Sequence, residues 1–173
     1  AHDGAPPTLV IDAGTGLRAC SALLGGAPFD GTIVLSHLHW DHVQGLPFFA
    51  AGDRDDARVR LLVPRPSGRA PESAEELLDG LVGPPWFPVR VGELRGRWTV
   101  DWFDEGTSHV EGFAMTARDI PHGGGRTMGL RVTSPESASL AYLSDHAPHA
   151  LGPGVAGAGE LHDAAMALAD DCD

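Results

Sequence analysis

The sequence of 173 residues contains no lysine, so all twelve of its basic residues are arginines. Without lysine the chain has no amine side chain for Schiff-base catalysis and no lysine for a phosphate-binding P-loop. Cysteine is scarce as well: Cys20 and Cys172 lie far apart and show no metal-ligand spacing. We therefore expect two idle thiols in a reducing cytoplasm, which is also the predicted location of the protein.

Long apolar runs are also missing. No stretch approaches the roughly 18 apolar residues of a membrane-spanning helix, and the first residues show no signal-peptide pattern. Twelve arginines against 24 acidic residues give a net charge of −12, which disfavours extended nucleic-acid binding. The length and a hydrophobic fraction of 42% suit one globular domain over residues 1–173, with no membrane partner.

Apolar runs and turn residues predict alternating strands and helices, then a run of short strands, then a last helix. The predicted strands are residues 8–12, 32–35, 58–63, 99–103, 112–120, 129–133 and 140–144. The predicted helices are residues 17–24, a short one near 41–47, 72–82 and about 160–168. This order is typical of a layered α/β domain with sheets inside and helices outside.

Histidine is the feature that stands out. Four ligand-type side chains fall within six residues directly after the strand at 32–35, namely His37, His39, Asp41 and His42. Imidazole and carboxylate together suit zinc, and also manganese or iron. Four ligands on one short loop are too crowded for a single tetrahedral ion. Two neighbouring ions, completed by ligands from elsewhere, fit this segment better.

The segment 37–42, hereafter the histidine loop, resembles the His-x-His-x-Asp-His signature of the metallo-β-lactamase fold superfamily. Residues 11–18 before it and 43–49 after it are similar to the branch that contains ribonuclease Z-like enzymes and small phosphodiesterases. The resemblance runs from about Leu9 to the end of the chain. It implies an α/β fold, a metallo-β-lactamase-like αββα sandwich of two mixed β-sheets flanked by helices.

The resemblance also implies a centre of two divalent metal ions, with zinc expected and manganese or iron as alternatives. Its implied ligands are His37, His39 and His122 for one ion, Asp41 and His42 for the other, and Asp145 as the bridge. The family pattern has one more histidine for the second ion, and neither His149 nor His162 has its context. The first strands of the family are missing too, so we expect residues 1–173 to be a domain cut at both ends.

Further roles follow from the same resemblance. Asp41 is a candidate for proton transfer, and His146 either faces the substrate and acts as an acid or points to solvent. Asp12 is expected to orient the ligands, and Ser36 to hydrogen-bond within the loop. His162 is expected at the surface of the final helix.

Three aromatic residues and one arginine carry weaker expectations. Trp40 either lines a pocket or packs against the sheet. For Trp86 and Phe87 we favour core packing over an apolar wall or a dimer contact. For Arg126 we favour a surface position over a contact to an anion.

The resulting hypothesis is a metal-dependent hydrolase that uses a dinuclear centre to activate water. A small or cyclic phosphodiester is favoured over transfer RNA, because the chain is acidic and has no basic arm, although RNA stays within the class. One alternative is a hydrolase of a lactone, thioester or β-lactam. Another is a metal-binding domain without turnover. A homodimer is a further expectation from the resemblance.

Overall fold

The computed structural model describes residues 4–68, 70–147 and 159–173, so His149 lies outside the described residues. The chain divides into two compact units, Ala1–Phe103 and Asp104–Asp173. Each unit contains one four-stranded sheet together with helix, which confirms the predicted α/β class. Among the described residues, no helix combines the length and the apolar character needed to cross a membrane.

The first unit is built on a parallel sheet with strand order β1-β2-β3-β4. Its strands are β1 (Leu9–Ile11), β2 (Asp30–Val34), β3 (Arg58–Pro64) and β4 (Arg97–Phe103). Its helices are α1 (Leu17–Leu23), α2 (Trp40–Val43) and α3 (Ala74–Val82), with 3-10 turns at Leu46–Phe48 and Val91–Glu93. Since the strands are parallel, all their carboxyl ends lie at one edge of the sheet.

The core of the first unit forms around β2 and β3. Ile33 and Leu61 are fully buried neighbours in the β2–β3 register, and Phe29 packs edge-on against Phe49. Such continuous apolar runs are typical of parallel strands that are covered on both faces. This core fixes the end of β2, and the histidine loop begins three residues beyond that end.

The second unit has an antiparallel sheet with strand order β5-β6-β7-β8. It comprises β5 (Gly106–Val110), β6 (Phe113–Ile120), β7 (Thr127–Thr133), β8 (Ser139–Tyr142) and α4 (Glu160–Ala169). Helix α4 packs through Ala165 and Leu168 against Ile120. Among the described strands, the first sheet is parallel and the second is antiparallel. Both kinds of strand pairing therefore occur in the fold, but neither sheet is itself mixed.

Most predicted elements are confirmed to within a few residues, and β5 is the strand that the sequence reading missed. It joins β6 through a two-residue turn, Glu111-Gly112, whose φ angles are both positive at 51° and 83°. Such a turn suits the twist of a hairpin, and glycine reaches positive φ without a steric penalty. The sequence signal for β5 was therefore the Glu111-Gly112 pair, which is typical of a tight turn between two strands.

Candidate metal centre

Asp12 and the histidine loop meet because β1 and β2 are parallel neighbours that end at the same edge of the sheet. The Asp12 backbone amide donates to the Val34 carbonyl at 2.8 Å, which ties the residue after β1 to the end of β2. Asp12 has a φ of 62°, a left-handed conformation that costs energy for a residue with a side chain. Its hydrogen bonds hold it in that conformation.

The Asp12 carboxylate, 9% exposed, gathers the start and the end of the histidine loop. Its Oδ1 accepts from the Ser36 amide at 2.6 Å, and its Oδ2 accepts from the Ser36 hydroxyl at 2.8 Å. The His42 Nδ1 lies 2.7 Å from the same Oδ2. Because an ionised carboxylate only accepts, we assign the proton of His42 to Nδ1 and the lone pair to Nε2.

The same reasoning fixes the tautomer of His37, which is only 2% exposed. Its Nδ1 lies 3.0 Å from the Ser36 hydroxyl oxygen. Since that hydroxyl donates its hydrogen to Asp12, its oxygen accepts from His37. The His37 proton is therefore on Nδ1 and the lone pair on Nε2. Asp12 thus orients His37 through Ser36 and His42 directly, which confirms the roles expected for Asp12 and Ser36.

The histidine side chains of the loop converge. His37 Nε2 lies 3.1 Å from His39 Nδ1, and the rings of His37 and His42 are 4.1 Å apart between centroids. The ligand atoms that His37 and His42 offer lie within 4.8 Å of each other. The Asp41 carboxylate is exposed, and its Oδ2 lies 3.5 Å from His42 Nε2. Imidazole nitrogens grouped beside a carboxylate form a donor set that fits a zinc-type ion.

Two glycines let the turn after β1 lie directly against the histidine loop. The Ala13 amide donates to the His42 carbonyl at 2.8 Å, and the Gly45 amide donates to the Ala13 carbonyl at 2.7 Å. A Cβ at Gly14 would lie 2.2 Å from the Asp41 carbonyl oxygen, and one at Gly45 would lie 2.1 Å from the Gly14 oxygen. Neither position therefore has room for a side chain.

In the second unit, His122 and Asp145 follow β6 and β8, two strands that run in the same direction on either side of β7. The segments after these strands are joined by a hydrogen bond from the Ala147 amide to the Pro121 carbonyl, at 2.8 Å. The second unit therefore brings both candidate ligands to one end of its sheet. His122 is half-buried, whereas Asp145 is exposed and has a φ of 54°.

His146 is half-buried and pairs with His162 of α4. The His146 Nε2 lies 3.1 Å from the His162 Nδ1, and the rings stack at 5.1 Å between centroids. Burial lowers the pKa of His146, and the neighbouring His162 lowers it further. The expected surface position of His162 was wrong. His162 lies three residues before Ala165, on the buried face of α4. This helical spacing was the sequence signal that His162 would face inward.

The aromatic expectations also need correction. Trp86 is 70% exposed rather than packed in a core, whereas Leu78 and Val82 of the preceding α3 are buried. Phe87 is half-buried against Phe48, with the ring centroids 5.4 Å apart. Of the two alternatives for Trp40, the structure agrees with the pocket, since its side chain is 58% exposed and lines a groove.

Arg126 is not a surface arginine, because only 14% of its side chain is exposed. It lies 2.8 Å from Asp104 and 3.6 Å from both Glu105 and Asp119. Burial raises the pKa of Asp119, although hydrogen bonds from backbone amides and the charge of Arg126 oppose this. The acidic neighbours of Arg126 make it a structural ion-pair residue rather than a contact for an anion.

Comparison with known proteins places these features in context. The family model of the β-lactamase superfamily domain matches residues 8–170. A ribonuclease Z of Natronomonas pharaonis is 34% identical over 95 residues, which cover 54% of this chain and 30% of that protein. The chain therefore spans less than a third of the length of this curated relative.

Two solved structures share the fold. A Cronobacter sakazakii metallo-β-lactamase with a HARLDQ motif has a TM-score of 0.53 and 19% identity, over 95% of this chain and 60% of that one. The metallo-β-lactamase fold protein YhfI of Bacillus subtilis has a TM-score of 0.50 and 16% identity, over 80% of this chain and 51% of that one. These likenesses agree with the predicted fold class.

Proposed function

This chain belongs to the β-lactamase superfamily domain family, and from that membership we propose that it is a metal-dependent hydrolase acting on phosphodiesters. The observation that carries the proposal is the buried arrangement of Asp12, Ser36 and His42. It holds protons on the Nδ1 atoms of His37 and His42, so that both rings present Nε2 lone pairs. The similarity to a ribonuclease Z supports the phosphodiester class.

Residues 1–173 are proposed to work as one domain. The ligands are His37, His39 and His122 for one divalent ion, Asp41 and His42 for the second, and Asp145 for both. Zinc is the expected metal, with manganese and iron as alternatives. When bound, such a pair of ions supplies an activated water and charge neutralisation for a hydrolytic displacement.

The side chains around this centre have separate proposed tasks. Asp12 keeps the imidazoles in their metal-binding tautomers, which is the usual task of a carboxylate behind histidine ligands. The exposed Asp41 carboxylate is the proposed acceptor of a proton during hydrolysis. His146 is the proposed donor to the substrate phosphate or leaving group, and its pairing with His162 fixes its ring.

A small or cyclic phosphodiester is the proposed substrate. A chain with a net charge of −12 repels a long polyanion, whereas one phosphodiester group carries a single charge that bound metal ions attract. Transfer RNA is therefore the less favoured member of the phosphodiester class. The cytoplasmic location and the homodimer stay predictions. Sedimentation velocity tests the homodimer.

The test is hydrolysis of bis-p-nitrophenyl phosphate by protein loaded with zinc, manganese or iron, beside a lactone, a thioester and a cephalosporin. We expect metal-dependent release of p-nitrophenolate that His37→Ala abolishes. His109→Ala, a change at an exposed histidine in β5, is the matched control and keeps full activity. Faster turnover of the lactone, thioester or cephalosporin than of the phosphodiester would replace the proposed substrate class. Metal binding without turnover of any substrate would overturn the enzymatic proposal.

A further inference from the structure

An exposed aromatic groove lies beside α2 in the first unit. It is lined by Trp40, Gln44, Phe48, Val82, Trp86 and Phe87, with Pro47 and Leu81 beside them. Trp40, Phe48 and Trp86 are 58%, 59% and 70% exposed. Three large aromatic side chains that share one groove and remain this exposed are more than the scattered apolar residues of an ordinary surface, and they mark a binding site.

The aromatic groove is held in shape by contacts within the protein. The Trp40 indole donates from Nε1 to the Leu81 carbonyl at 3.3 Å. The Phe48 and Phe87 rings meet edge to face. The amides of Trp86 and Phe87 both donate to the Gly83 carbonyl at 3.0 Å, which anchors their loop at the end of α3. A ligand therefore meets aromatic surfaces that are already positioned.

The groove adjoins the histidine loop. Trp40 stands between His39 and Asp41 in the chain, and it is the first residue of α2. Gln44, the residue directly after α2, lies four residues later, and its backbone amide donates to the Trp40 carbonyl at 2.8 Å. One wall of the groove is thus formed by a residue that lies between two proposed metal ligands in the chain.

The chemistry of the lining selects one part of a substrate. Among the described residues that line the groove, none is charged, so the groove offers nothing to a phosphate. Its aromatic faces suit stacking with a flat ring, and the side-chain amide of Gln44 carries N–H donors and a carbonyl acceptor for polar atoms at the edge of such a ring. We propose that the aromatic groove binds the nucleobase of a nucleotide phosphodiester. The inference rests on the proposed function, in which the phosphate lies at the metal centre.

A second copy of the chain is a poorer occupant. A stable protein interface uses about 20–30 residues on each side, whereas eight residues line this groove. A groove of that size suits one ring and its substituents.

The experiment measures the affinities of adenosine 5′-monophosphate and ribose 5-phosphate, which lacks the base, for the metal-loaded protein by calorimetry. We expect the nucleotide to bind at least about tenfold more tightly. Trp86→Ala removes that preference and leaves the affinity for ribose 5-phosphate unchanged. Leu23→Ala, a truncation of a side chain that is 75% exposed on α1, keeps the preference and is the matched control.

Adenosine without phosphate separates this inference from the proposed function. We expect it to quench tryptophan fluorescence equally in wild type and in His37→Ala, and less in Trp86→Ala. If adenosine quenches the tryptophan fluorescence of a protein that hydrolyses no phosphodiester, base binding in the groove is supported and the proposed function is overturned. Hydrolysis of bis-p-nitrophenyl phosphate without any preference for the nucleotide would overturn the inference alone.

Two further outcomes also overturn it. One is tighter binding of dodecyl phosphate than of adenosine 5′-monophosphate, each compared with ribose 5-phosphate. The groove would then bind alkyl chains rather than a nucleobase. The other is a dimer in sedimentation velocity that Trp86→Ala dissociates, since the groove is then covered by a second copy.

Discussion

The two units prepare their candidate ligands in different ways. In the first unit, His37 is 2% exposed and is joined through Ser36 to Asp12, which also contacts His42. In the second unit, Asp145 is exposed, and it is positioned by the backbone that links the segments after β6 and β8. One set of ligands is oriented by buried hydrogen bonds, and the other by where two strands end.

This difference separates metal binding from folding. A change in the buried network of the first unit removes hydrogen bonds that belong to the fold, so it lowers both stability and metal affinity. A change at an exposed side chain of the second unit costs little stability. The main effect of such a change is then on metal affinity. Substitutions in the two units test that contrast, and the largest effect is expected in the buried network.

His37→Ala has the largest expected effect. It removes a proposed ligand and leaves Ser36 without the imidazole that it contacts in the buried network. We expect bound metal to be lost and hydrolysis of bis-p-nitrophenyl phosphate to fall by more than the roughly 10–100-fold typical of residues behind a ligand. Elemental analysis and initial rates measure both effects. Full activity in this variant would falsify the dinuclear mechanism.

Asp145→Ala is expected to lose more bound metal than His146→Ala. The reason is that Asp145 is exposed and is proposed to contact both ions, whereas His146 is proposed to contact the substrate. Metal analysis beside thermal unfolding checks this pair. Equal metal loss in the two variants would mean that the bridging ligand is assigned to the wrong residue.

Asp12→Asn tests the buried network without removing a ligand. The amide nitrogen of asparagine cannot accept a hydrogen bond, so one of the present donors loses its acceptor. We expect metal affinity to fall by about 10–100-fold and the free energy of unfolding to fall by about 1–3 kcal/mol. Competition with a chromogenic chelator and denaturant unfolding measure these changes.

Asp30→Asn is the matched control for that variant, because the side chain of Asp30 is 69% exposed and its ion pair with Arg58 is long at 3.7 Å. Exposed pairs of this kind contribute little. A loss of metal affinity in Asp30→Asn equal to that in Asp12→Asn would contradict the orienting role of Asp12.

Gly14→Ala tests the packing of the first turn against the histidine loop. The new Cβ would lie 2.2 Å from the Asp41 carbonyl oxygen, so the two segments must separate. We expect the free energy of unfolding to fall by about 1–3 kcal/mol and metal affinity to fall with it. Gly16→Ala is the control, since no atom lies within 4 Å of its new Cβ. Identical stability of the two variants would rule out this close packing.

Asp119→Asn should have the smallest effect, and one that depends on pH. Because burial raises the pKa of Asp119 in the folded protein, the ionised carboxylate is disfavoured there relative to the unfolded chain. Its contribution to stability is therefore present below the unfolded pKa and is lost as pH rises through the folded pKa. We expect the variant to melt slightly above wild type at pH 7 and to lose this advantage in acid. A lower melting temperature at pH 7 would instead mean that the ion pair with Arg126 dominates.

The sequence reveals the first unit well because its signals are local. An apolar run before the histidine loop predicts a buried strand, and the family resemblance of the segment after β1 implies that Asp12 orients the loop. The second unit is harder to read, since β5 alternates weakly and depends on the Glu111-Gly112 turn. His146 and His162 pair although they lie 16 residues apart in the sequence. The only sequence indication is that His162 shares the buried face of α4 with Ala165.

Exposure of Trp86 was beyond the sequence pattern for a different reason. Whether a large aromatic residue in a proline-rich loop packs into a core depends on the space that the rest of the fold leaves, and the local sequence does not show that space. The groove beside α2 therefore became visible only with the fold.

The most direct measurement is the metal content of the chain, by elemental analysis of protein purified without chelator. If the proposed dinuclear centre forms, each chain holds about two zinc, manganese or iron ions. One ion or none per chain would contradict the dinuclear account.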